Sequence, residues 1–257
     1  MAPHPETTPG KDIWSADAYG NQVAPFVAAL TSKIVAWLDP QPDGASLRAP
    51  LLLFLLFLLL SPRAVPRDAA NANPLHEDEI LDVGCGEGPL TAKIARHVKR
   101  MVGVDASANM IESSRQHFPD VDARVVDCRF LDREASLCNG SFDKVFSNAA
   151  LHWILRDPAT RARAIRGCFD ALRPGGLLVS ESGALGNVAE VHAAMIAAVA
   201  HRGVAMEQAR AASPWWFPSL DAMQALVESQ GFRWLRGEVE LRQTELTSGD
   251  AGGIKGW

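Results

Sequence analysis

From residue 80 onward, the chain alternates short apolar segments with amphipathic ones. Segments rich in Val, Ile, Leu and Phe, typical of buried β-strands, are separated by stretches in which apolar residues follow helical spacing. The predicted strands are EILDVG, RMVGVD, DARVVD, FDKVFSNA and GGLLVSES, and the predicted helices span residues 89–98, 107–117 and 157–172. Strands that alternate with helices of this size form βαβ units around a parallel sheet. The pattern therefore predicts an α/β fold with a doubly wound, mostly parallel sheet.

The segment before this domain has two parts. Residues 1–11 are polar and contain several prolines, so we predict a disordered tail. From Trp14 to Leu38 the apolar residues follow helical spacing, until two prolines interrupt the pattern. An N-terminal helical segment over residues 12–43 is therefore expected to lead into the domain.

Residues 44–77 fit neither pattern. They contain LLLFLLFLLL, residues 51–60, followed by a stretch rich in Pro, Ala and Asn. The run is about half of the roughly 20 apolar residues that a membrane-spanning helix needs, and a core helix of this composition needs burial on every side. A core helix and a short membrane-dipping segment are the alternatives. We favour an insertion, most simply a translated intron, that loops out from the edge of the sheet.

Composition and charge limit the classes of binding partner that we expect. The 257 residues are 47% hydrophobic and 21% charged, as is typical of a globular protein. A net charge of −5 gives no reason to expect nucleic acid or an anionic membrane as a partner, so we expect a monomer with a small-molecule substrate. The N-terminus lacks the basic and apolar regions of a signal peptide, which favours the cytoplasm.

The four cysteines predict neither a metal site nor a disulfide framework. They are scattered along the chain, with no CxxC pair and no histidine at metal-ligand spacing. We expect them to be reduced thiols, as is usual in a cytoplasmic protein.

Candidate ligand-binding residues lie at the ends of the predicted strands, because ligands of doubly wound sheets bind beyond the carboxyl ends of the strands. A glycine-rich turn with Gly84, Gly86 and Gly88 follows the first strand, where backbone amides can face a ligand. Asp105 ends the second strand, and its carboxylate can accept hydrogen bonds from both hydroxyls of a ribose. Asp127 ends the third and can accept from an adenine amino group.

Each of these features also has a purely structural interpretation. The glycines are compatible with an ordinary strand-to-helix turn, Asp105 with a helix N-cap that Ser107 could equally provide, and Asp127 with a turn. All three occur in the order that a nucleoside site needs, and this favours the ligand-binding interpretation.

The glycine-rich turn favours S-adenosylmethionine over a nicotinamide dinucleotide. The dinucleotide motif G-x-G-x-x-G/A needs a small third residue, but Pro89 stands at that position. Residues 84–92 contain no Lys or Arg. A sulfonium cofactor brings no pyrophosphate, so the turn has no phosphate to bind.

Several segments together resemble a known family. ILDVGCGEG, VGVDAS, VVDC, FDKVFSNAALHW and LRPGGLLVSES resemble the successive motifs of class I S-adenosylmethionine-dependent methyltransferases. Within that family, WSADAY and SNAALHW resemble the trans-aconitate methyltransferase group and its fungal relatives. The resemblance implies a Rossmann-like fold, S-adenosylmethionine as cofactor, and methyl transfer to a small molecule, such as a carboxylic acid.

The resemblance also implies which residues bind the cofactor. In and below the glycine-rich turn these are Asp82, Gly84, Cys85, Gly86 and Gly88; at the ribose and the methionine, Asp105 and Asn148; at the adenine, Met110, Asp127 and Cys128; and in a lid over residues 12–43, Trp14 and Tyr19. Helix packing is the alternative role for the two lid aromatics.

His152 and Trp153 are the candidate substrate residues. A carboxylate acceptor is ionised at neutral pH and needs no base, whereas a hydroxyl or an amine benefits from one, and His152 is the candidate catalytic base. Substrate carboxylates favour guanidinium partners. The nearby arginines are Arg129, Arg156, Arg161 and Arg163, and the aromatic residues that either wall a pocket or pack helices are Trp215, Trp216 and Phe217.

The C-terminal part of the chain departs from the family. In the resembling family a final strand inserts antiparallel between the fifth and the sixth strand. The predicted sixth strand, FRWLRGEVELR, is followed only by a short stretch. We therefore expect a C-terminally truncated methyltransferase domain over residues 78–257 that lacks the last strand and leaves the fifth strand with an unpaired edge. A non-catalytic protein on the same scaffold is the competing hypothesis.

Overall fold

The computed structural model of the chain describes residues 32–38, 54–60 and 78–242. The strands are β1 (Phe54–Leu60), β2 (Glu79–Val83), β3 (Arg100–Asp105), β4 (Asp122–Val125), β5 (Phe142–Asn148), β6 (Leu172–Gly183) and β7 (Arg233–Glu240). The α-helices are α1 (Ser32–Leu38), α2 (Pro89–Ala95), α3 (Ala108–His117), α4 (Leu151–Ile154), α5 (Pro158–Ala171), α6 (Ala189–His201), α7 (Met206–Ala211) and α8 (Leu220–Ser229), and a 3₁₀ helix spans Cys128–Arg133. The predicted alternation of strands and helices after residue 80 is confirmed.

Local sequence signals explain where the helices begin. The hydroxyl of Ser107 accepts a hydrogen bond from the Met110 amide at 3.1 Å and so caps α3. Asp157 caps α5 in the same way, through the Ala159 amide at 2.9 Å, and Pro158 occupies the first helical position. These two helices therefore begin within one residue of the predicted start.

The sheet has the order β4-β3-β2-β5-β6-β1-β7. Strands β4, β3, β2, β5 and β6 pair in parallel with their neighbours. The order reverses at β2, since β3 lies on one side of it and β5 on the other. This reversal is the topological switch point at which doubly wound sheets bind ligands. The predicted α/β fold with a doubly wound, mostly parallel sheet is confirmed.

The leucine run contradicts one prediction. We expected it to loop out from the sheet and expected the edge of β6 to stay unpaired, yet β1 pairs antiparallel with both β6 and β7. It fills the place between the fifth strand and the sixth strand of the resembling family. An inner strand of a sheet covered on both faces needs no alternation of apolar and polar residues, so an uninterrupted apolar run is compatible with it.

The sheet carries a hydrophobic cluster on each face. Consecutive strand residues alternate between the two clusters: Val145 and Leu178 belong to one, and Phe146 and Val179 to the other. Helices α5 and α8 contribute to the first cluster, and α1 and α2 to the second. The strands that carry the candidate site are therefore held between two apolar layers, with their carboxyl ends at the top edge.

A buried ion pair fixes α1 to this framework. Lys144 of β5 pairs with Asp78 at 2.5 Å and donates a hydrogen bond to the carbonyl of Leu38 at 2.7 Å. Leu38 is the last residue of α1, and a cation at this end satisfies a helix carbonyl that has no partner within the helix. The predicted N-terminal helix is thereby seen over its last seven residues.

Other predictions about the N-terminal part lie outside the described residues. These are the disordered tail at residues 1–11, most of the lid at residues 12–43, and the insertion on either side of β1. In the described ranges, no helix combines the length and the apolar character needed to cross a membrane.

Candidate functional site

The glycine-rich turn after β2 is tied to the end of β3. The amides of Gly84 and Cys85 both donate to the carbonyl of Val104, at 2.8 and 3.1 Å. Gly84 has φ +80°, and a Cβ there would overlap the Cβ of Ala150. Gly86 has φ +56° and open space where a Cβ would be. Only glycine fits the first position, and the second leaves room for a ligand against the backbone.

Asp82 supports this turn from below. It is 3% exposed, and its Oδ2 accepts a hydrogen bond from the Thr91 hydroxyl of α2 at 2.6 Å. Burial raises the pKa of Asp82 to about 7, with a further contribution from the negative charge of Asp105 and an opposing one from the Thr91 hydrogen bond. The carboxyl group joins β2 to α2 across the turn, as the resemblance implied.

Asp105 lies at the centre of the candidate site. Its Oδ2 accepts from the Gly86 amide at 3.0 Å, and its Oδ1 accepts from the Ser107 amide at 2.9 Å. The cap of α3 is Ser107, so Asp105 is not the N-cap residue. A carboxylate oxygen can accept more than one hydrogen bond.

Cys85 and Met110, two further predicted cofactor residues, point into the protein interior. The Cys85 sulfur packs against Gly103, since a Cβ built on that glycine would lie 2.9 Å from it. Met110 is 4% exposed in the first turn of α3. Gly88 ends the turn with φ +83°, against Ser114 of α3.

Asp127 and Cys128 follow β4, close to Asp105, because the Val126 amide donates to the Asp105 carbonyl at 2.8 Å. The Asp127 carboxylate forms a bidentate pair with the Arg129 guanidinium, at 2.6 to 3.1 Å. Burial raises the pKa of Asp127, but the hydrogen bonds from Arg129 outweigh burial and lower it overall. The Cys128 thiol is buried near the carbonyls of Val104 and Val126, so only the backbone of Cys128 can face a ligand.

Four buried side-chain oxygens near the ends of β5 and β6 have no hydrogen-bond partner among the described residues: Ser180 Oγ, Ser182 Oγ and two acceptors on paired residues of the two strands. The two acceptors are Asn148 Oδ1 and Glu181 Oε2, and their residues are register partners on adjacent parallel strands. Ala149, next to Asn148, has φ 54°, which is uncommon outside glycine. Such strain often accompanies a functional site. Asn148 was predicted, whereas Glu181 was missed, although a carboxylate at the end of the apolar strand LLVSES was a visible signal.

Glu181 belongs to a charged network that links β6 to β7 and α1. Its Oε1 pairs with Arg242 at 2.9 Å, and the two side chains are 2% and 6% exposed. Arg242 also contacts Glu240 at 3.3 Å, and Glu240 pairs with Lys33 of α1 at 3.1 Å. Burial raises the pKa of Glu181, although the Arg242 charge opposes this.

An aromatic cluster is joined to the end of β6 by a hydrogen bond from the Gly183 amide to His152. His152 of α4 packs against Trp153 and Phe217 at ring-centroid distances of 5.5 and 5.6 Å. Trp153 meets Trp215 edge-on at 5.4 Å, and His192 of α6 meets both Trp215 and Phe217. The predicted wall formed by His152, Trp153 and the 215–217 segment is thus brought together, apart from Trp216. The Trp216 ring packs against the core and lies 3.9 Å from the Arg161 guanidinium carbon.

Three of the four arginines that were candidates for binding a substrate carboxylate already bind other groups of the chain. Arg129 pairs with Asp127, Arg163 pairs with Asp132 at 2.7 Å, and Arg161 donates to the Leu155 carbonyl at 2.7 Å. Arg156 is exposed. The structure therefore singles out none of them as a carboxylate partner.

Trp14 and Tyr19 lie outside the described residues. Within the part of the chain that the structure describes, no group of three or more His, Cys, Asp or Glu side chains could hold a metal ion.

The chain is similar in sequence to known methyltransferases. Residues 80–176 match the family model described as methyltransferase domain. An uncharacterised methyltransferase of Schizosaccharomyces pombe is 41% identical over 155 residues, which cover 60% of this chain and 59% of that protein. A trans-aconitate 2-methyltransferase of Deinococcus radiodurans is 35% identical over 103 residues, 39% of this chain and 36% of that protein. This chain thus spans about three fifths of the first relative and about a third of the second.

A solved structure is also similar in sequence. The S-adenosylmethionine-dependent methyltransferase of Mesorhizobium loti is 29% identical, with coverage of 45% of this chain and 50% of that chain and a TM-score of 0.38. The match over residues 80–176 includes the glycine-rich turn, Asp105, Asp127 and Asn148. Over residues 80–176 the chain is therefore similar to methyltransferase domains.

Proposed function

We propose that this protein is an S-adenosylmethionine-dependent methyltransferase that acts on a small molecule. The observation that carries the proposal is the Asp105 carboxylate, which the Gly86 and Ser107 amides hold at the switch point of the sheet. Two fixed acceptor oxygens in this position suit the two adjacent hydroxyls of a ribose.

The residues at the edge of the sheet fit the rest of the cofactor. Its methionine part carries an ammonium group, and Asn148 Oδ1 and Glu181 Oε2 are buried acceptors that lack a donor among the described residues. The open face of Gly86 leaves space beside the backbone. When bound, S-adenosylmethionine would supply a methyl carbon already activated by the sulfonium.

The residues predicted to bind the adenine fit the cofactor less well than those at the ribose. Both oxygens of Asp127 already bind Arg129, so an adenine amino group would have to share them with the guanidinium. The amide of Cys128, in the first residue of the 3₁₀ helix, is a further contact for the base edge. An Arg129 variant would show whether the ion pair limits adenine binding.

As the acceptor, we propose a small carboxylic acid that becomes a methyl ester. The resemblance of SNAALHW to the trans-aconitate methyltransferase group supports this, together with the similarity to the Deinococcus radiodurans enzyme of that name. A carboxylate attacks the methyl carbon without losing a proton, so the protein mainly has to align the two groups and exclude water. The aromatic cluster around His152 provides an apolar wall for this purpose.

The first prediction tests cofactor binding. In isothermal titration calorimetry with S-adenosylmethionine, Asp105→Ala should weaken binding by roughly 1–3 kcal/mol, because it leaves ribose hydroxyls and two turn amides without partners. Asp120→Ala removes an exposed carboxylate after α3 and serves as the matched control, with unchanged affinity.

Two outcomes would contradict the proposal. Absence of binding by the unaltered chain favours a non-catalytic scaffold protein. Binding with equal affinity by the Asp105→Ala variant removes the ribose assignment.

A further inference from the structure

His152 is held by a backbone hydrogen bond that determines which ring nitrogen carries the proton. The Gly183 amide, at the end of β6, donates to Nδ1 of the imidazole at 3.2 Å. A nitrogen that accepts a hydrogen bond carries no proton, so the proton of the neutral ring lies on Nε2. His152 is therefore a hydrogen-bond donor through Nε2.

The surroundings of the ring keep it neutral. Trp153 from α4 and Phe217 from the 215–217 segment pack against it, and the backbone of Gly183 lies on the β6 side. None of these groups is ionisable. Burial alone lowers the pKa of His152 to about 3. The ring is thus uncharged at neutral pH.

The segment that carries the ring packs against the glycine-rich turn. A Cβ on Gly84 would overlap the Cβ of Ala150 and lie 3.5 Å from Cδ1 of Ile154. These two residues flank His152 in sequence, so α4 rests directly on the turn. Nε2 has no hydrogen-bond partner among the described residues, and the donor is available to a ligand at this edge.

We propose, on the basis of the proposed methyl transfer, that His152 orients the acceptor by donating its Nε2 proton to one oxygen of the substrate carboxylate. The second oxygen then faces the methyl group. His152 does not act as a general base, because the lone pair of Nδ1 is already used by the Gly183 amide.

The reaction balances without a proton acceptor. The free carboxylate oxygen forms a bond to the methyl carbon, the carbon–sulfur bond breaks, and its electron pair stays on sulfur. The products are a neutral ester and a neutral sulfide. A hydroxyl or an amine would have to release a proton at this point, and the imidazole is oriented to give one rather than take one.

The prediction is tested first on the ring itself. Nitrogen NMR of the uniformly ¹⁵N-labelled chain should show the His152 imidazole as the Nε2–H form, unchanged between pH 8 and pH 5. A His152→Gln spectrum identifies the signal. A ring that protonates near pH 6.5, or that carries its proton on Nδ1, would overturn the proposal whether or not a substrate is known.

The second test uses kinetics with a panel of small carboxylic acids. His152→Phe keeps an aromatic ring but lacks the donor, and it should raise KM for the acid about 10- to 100-fold with little change in kcat, the usual effect of losing a hydrogen bond to a charged group. His152→Gln, whose amide can accept from Gly183 and donate to the substrate, should recover most of the affinity. His117→Gln, on the exposed end of α3, is the control.

The alternatives give different results. A base would lose kcat in both variants, and Gln would not rescue it. If the cofactor binds but phenols or amines are methylated and acids are not, the inference about His152 is wrong while the methyltransferase proposal stands. If the unaltered chain does not bind the cofactor, the proposed function itself fails.

Discussion

At the scale of single residues, the candidate site combines groups whose ionisation differs from that in water. Asp82 is buried beneath the glycine-rich turn, Glu181 is buried beside Arg242, and His152 packs against the rings of Trp153 and Phe217. Burial moves the pKa of both carboxyl groups upward and that of the imidazole downward. In each case burial disfavours the charged form, and at Glu181 the Arg242 cation opposes this effect and stabilises the carboxylate.

Asp82 gives the stability of the fold a measurable pH dependence. Its pKa is about 7 in the folded chain and lies near 4 when exposed, so between these values the folded state holds a proton that the unfolded state has lost. Stability should therefore fall as pH rises through this window, by at most about 1.4 kcal/mol per pH unit. Asp82→Asn, which can still accept from Thr91, should flatten this dependence in urea unfolding measured from pH 4 to pH 8.

The comparison with an exposed carboxylate isolates the effect. Asp120→Asn should keep the slope of the unaltered chain, since Asp120 is exposed. Equal slopes for the chain with and without Asp82 would show that this carboxyl is ionised throughout.

At the scale of elements, β1 changes the interpretation of the sheet. With β1 in place, β6 is paired on both sides and β7 gains a neighbour. The strand runs antiparallel to β6, and its pairing extends over all seven of its residues, from Phe54 to Leu60. The leucine run is thus part of the framework on which the end of β6, with Glu181 and Gly183, depends.

A proline in β1 tests this role. Leu56→Pro removes an amide from an inner strand and leaves a carbonyl of a neighbouring strand unpaired, so it should destabilise the chain by roughly 1–3 kcal/mol. Leu56→Val keeps the backbone pairing and should have a much smaller effect. Thermal unfolding of both variants measures the difference. Identical melting would show that β1 does not pair in the sheet, and deletion of residues 44–77 would then leave cofactor binding intact.

At the scale of the whole molecule, the charged network joins parts of the chain that are far apart in sequence. Lys33 lies in α1, Glu181 lies two residues before the end of β6, and Arg242 follows β7. The pair of Glu181 and Arg242 is almost completely buried, so each charge depends on the other. The candidate site therefore depends on the first described helix and on the last described residue.

Replacement of Arg242 tests how much the stability of the chain depends on this ion pair. Arg242→Met leaves the Glu181 carboxylate uncompensated and should destabilise the chain by about 3–5 kcal/mol near pH 8. The loss should be smaller near pH 5, because a carboxyl without its cation has a higher pKa and becomes protonated there. The double variant with Glu181→Gln should recover part of the stability. A loss that is equal at both pH values would contradict the assignment of Glu181 as charged.

The primary structure alone is sufficient for the parts of the fold and site that depend on local pattern. Strand and helix order follow from apolar spacing, and the starts of α3 and α5 follow from Ser107 and Asp157. The strand-end positions of Asp105 and Asn148 follow from the same order, because parallel strands place their carboxyl ends at one edge.

Features that depend on contacts between distant segments could be recognised only in the tertiary structure. The strand role of the leucine run depends on two neighbours more than a hundred residues away, and a uniform apolar run has no period that distinguishes strand from helix. The Nε2–H form of His152 depends on the amide of Gly183, and the engagement of Asp127 depends on the direction of the Arg129 side chain. Proton position and ion pairing depend on which groups the fold brings within about 3 Å, and residue type does not contain that information.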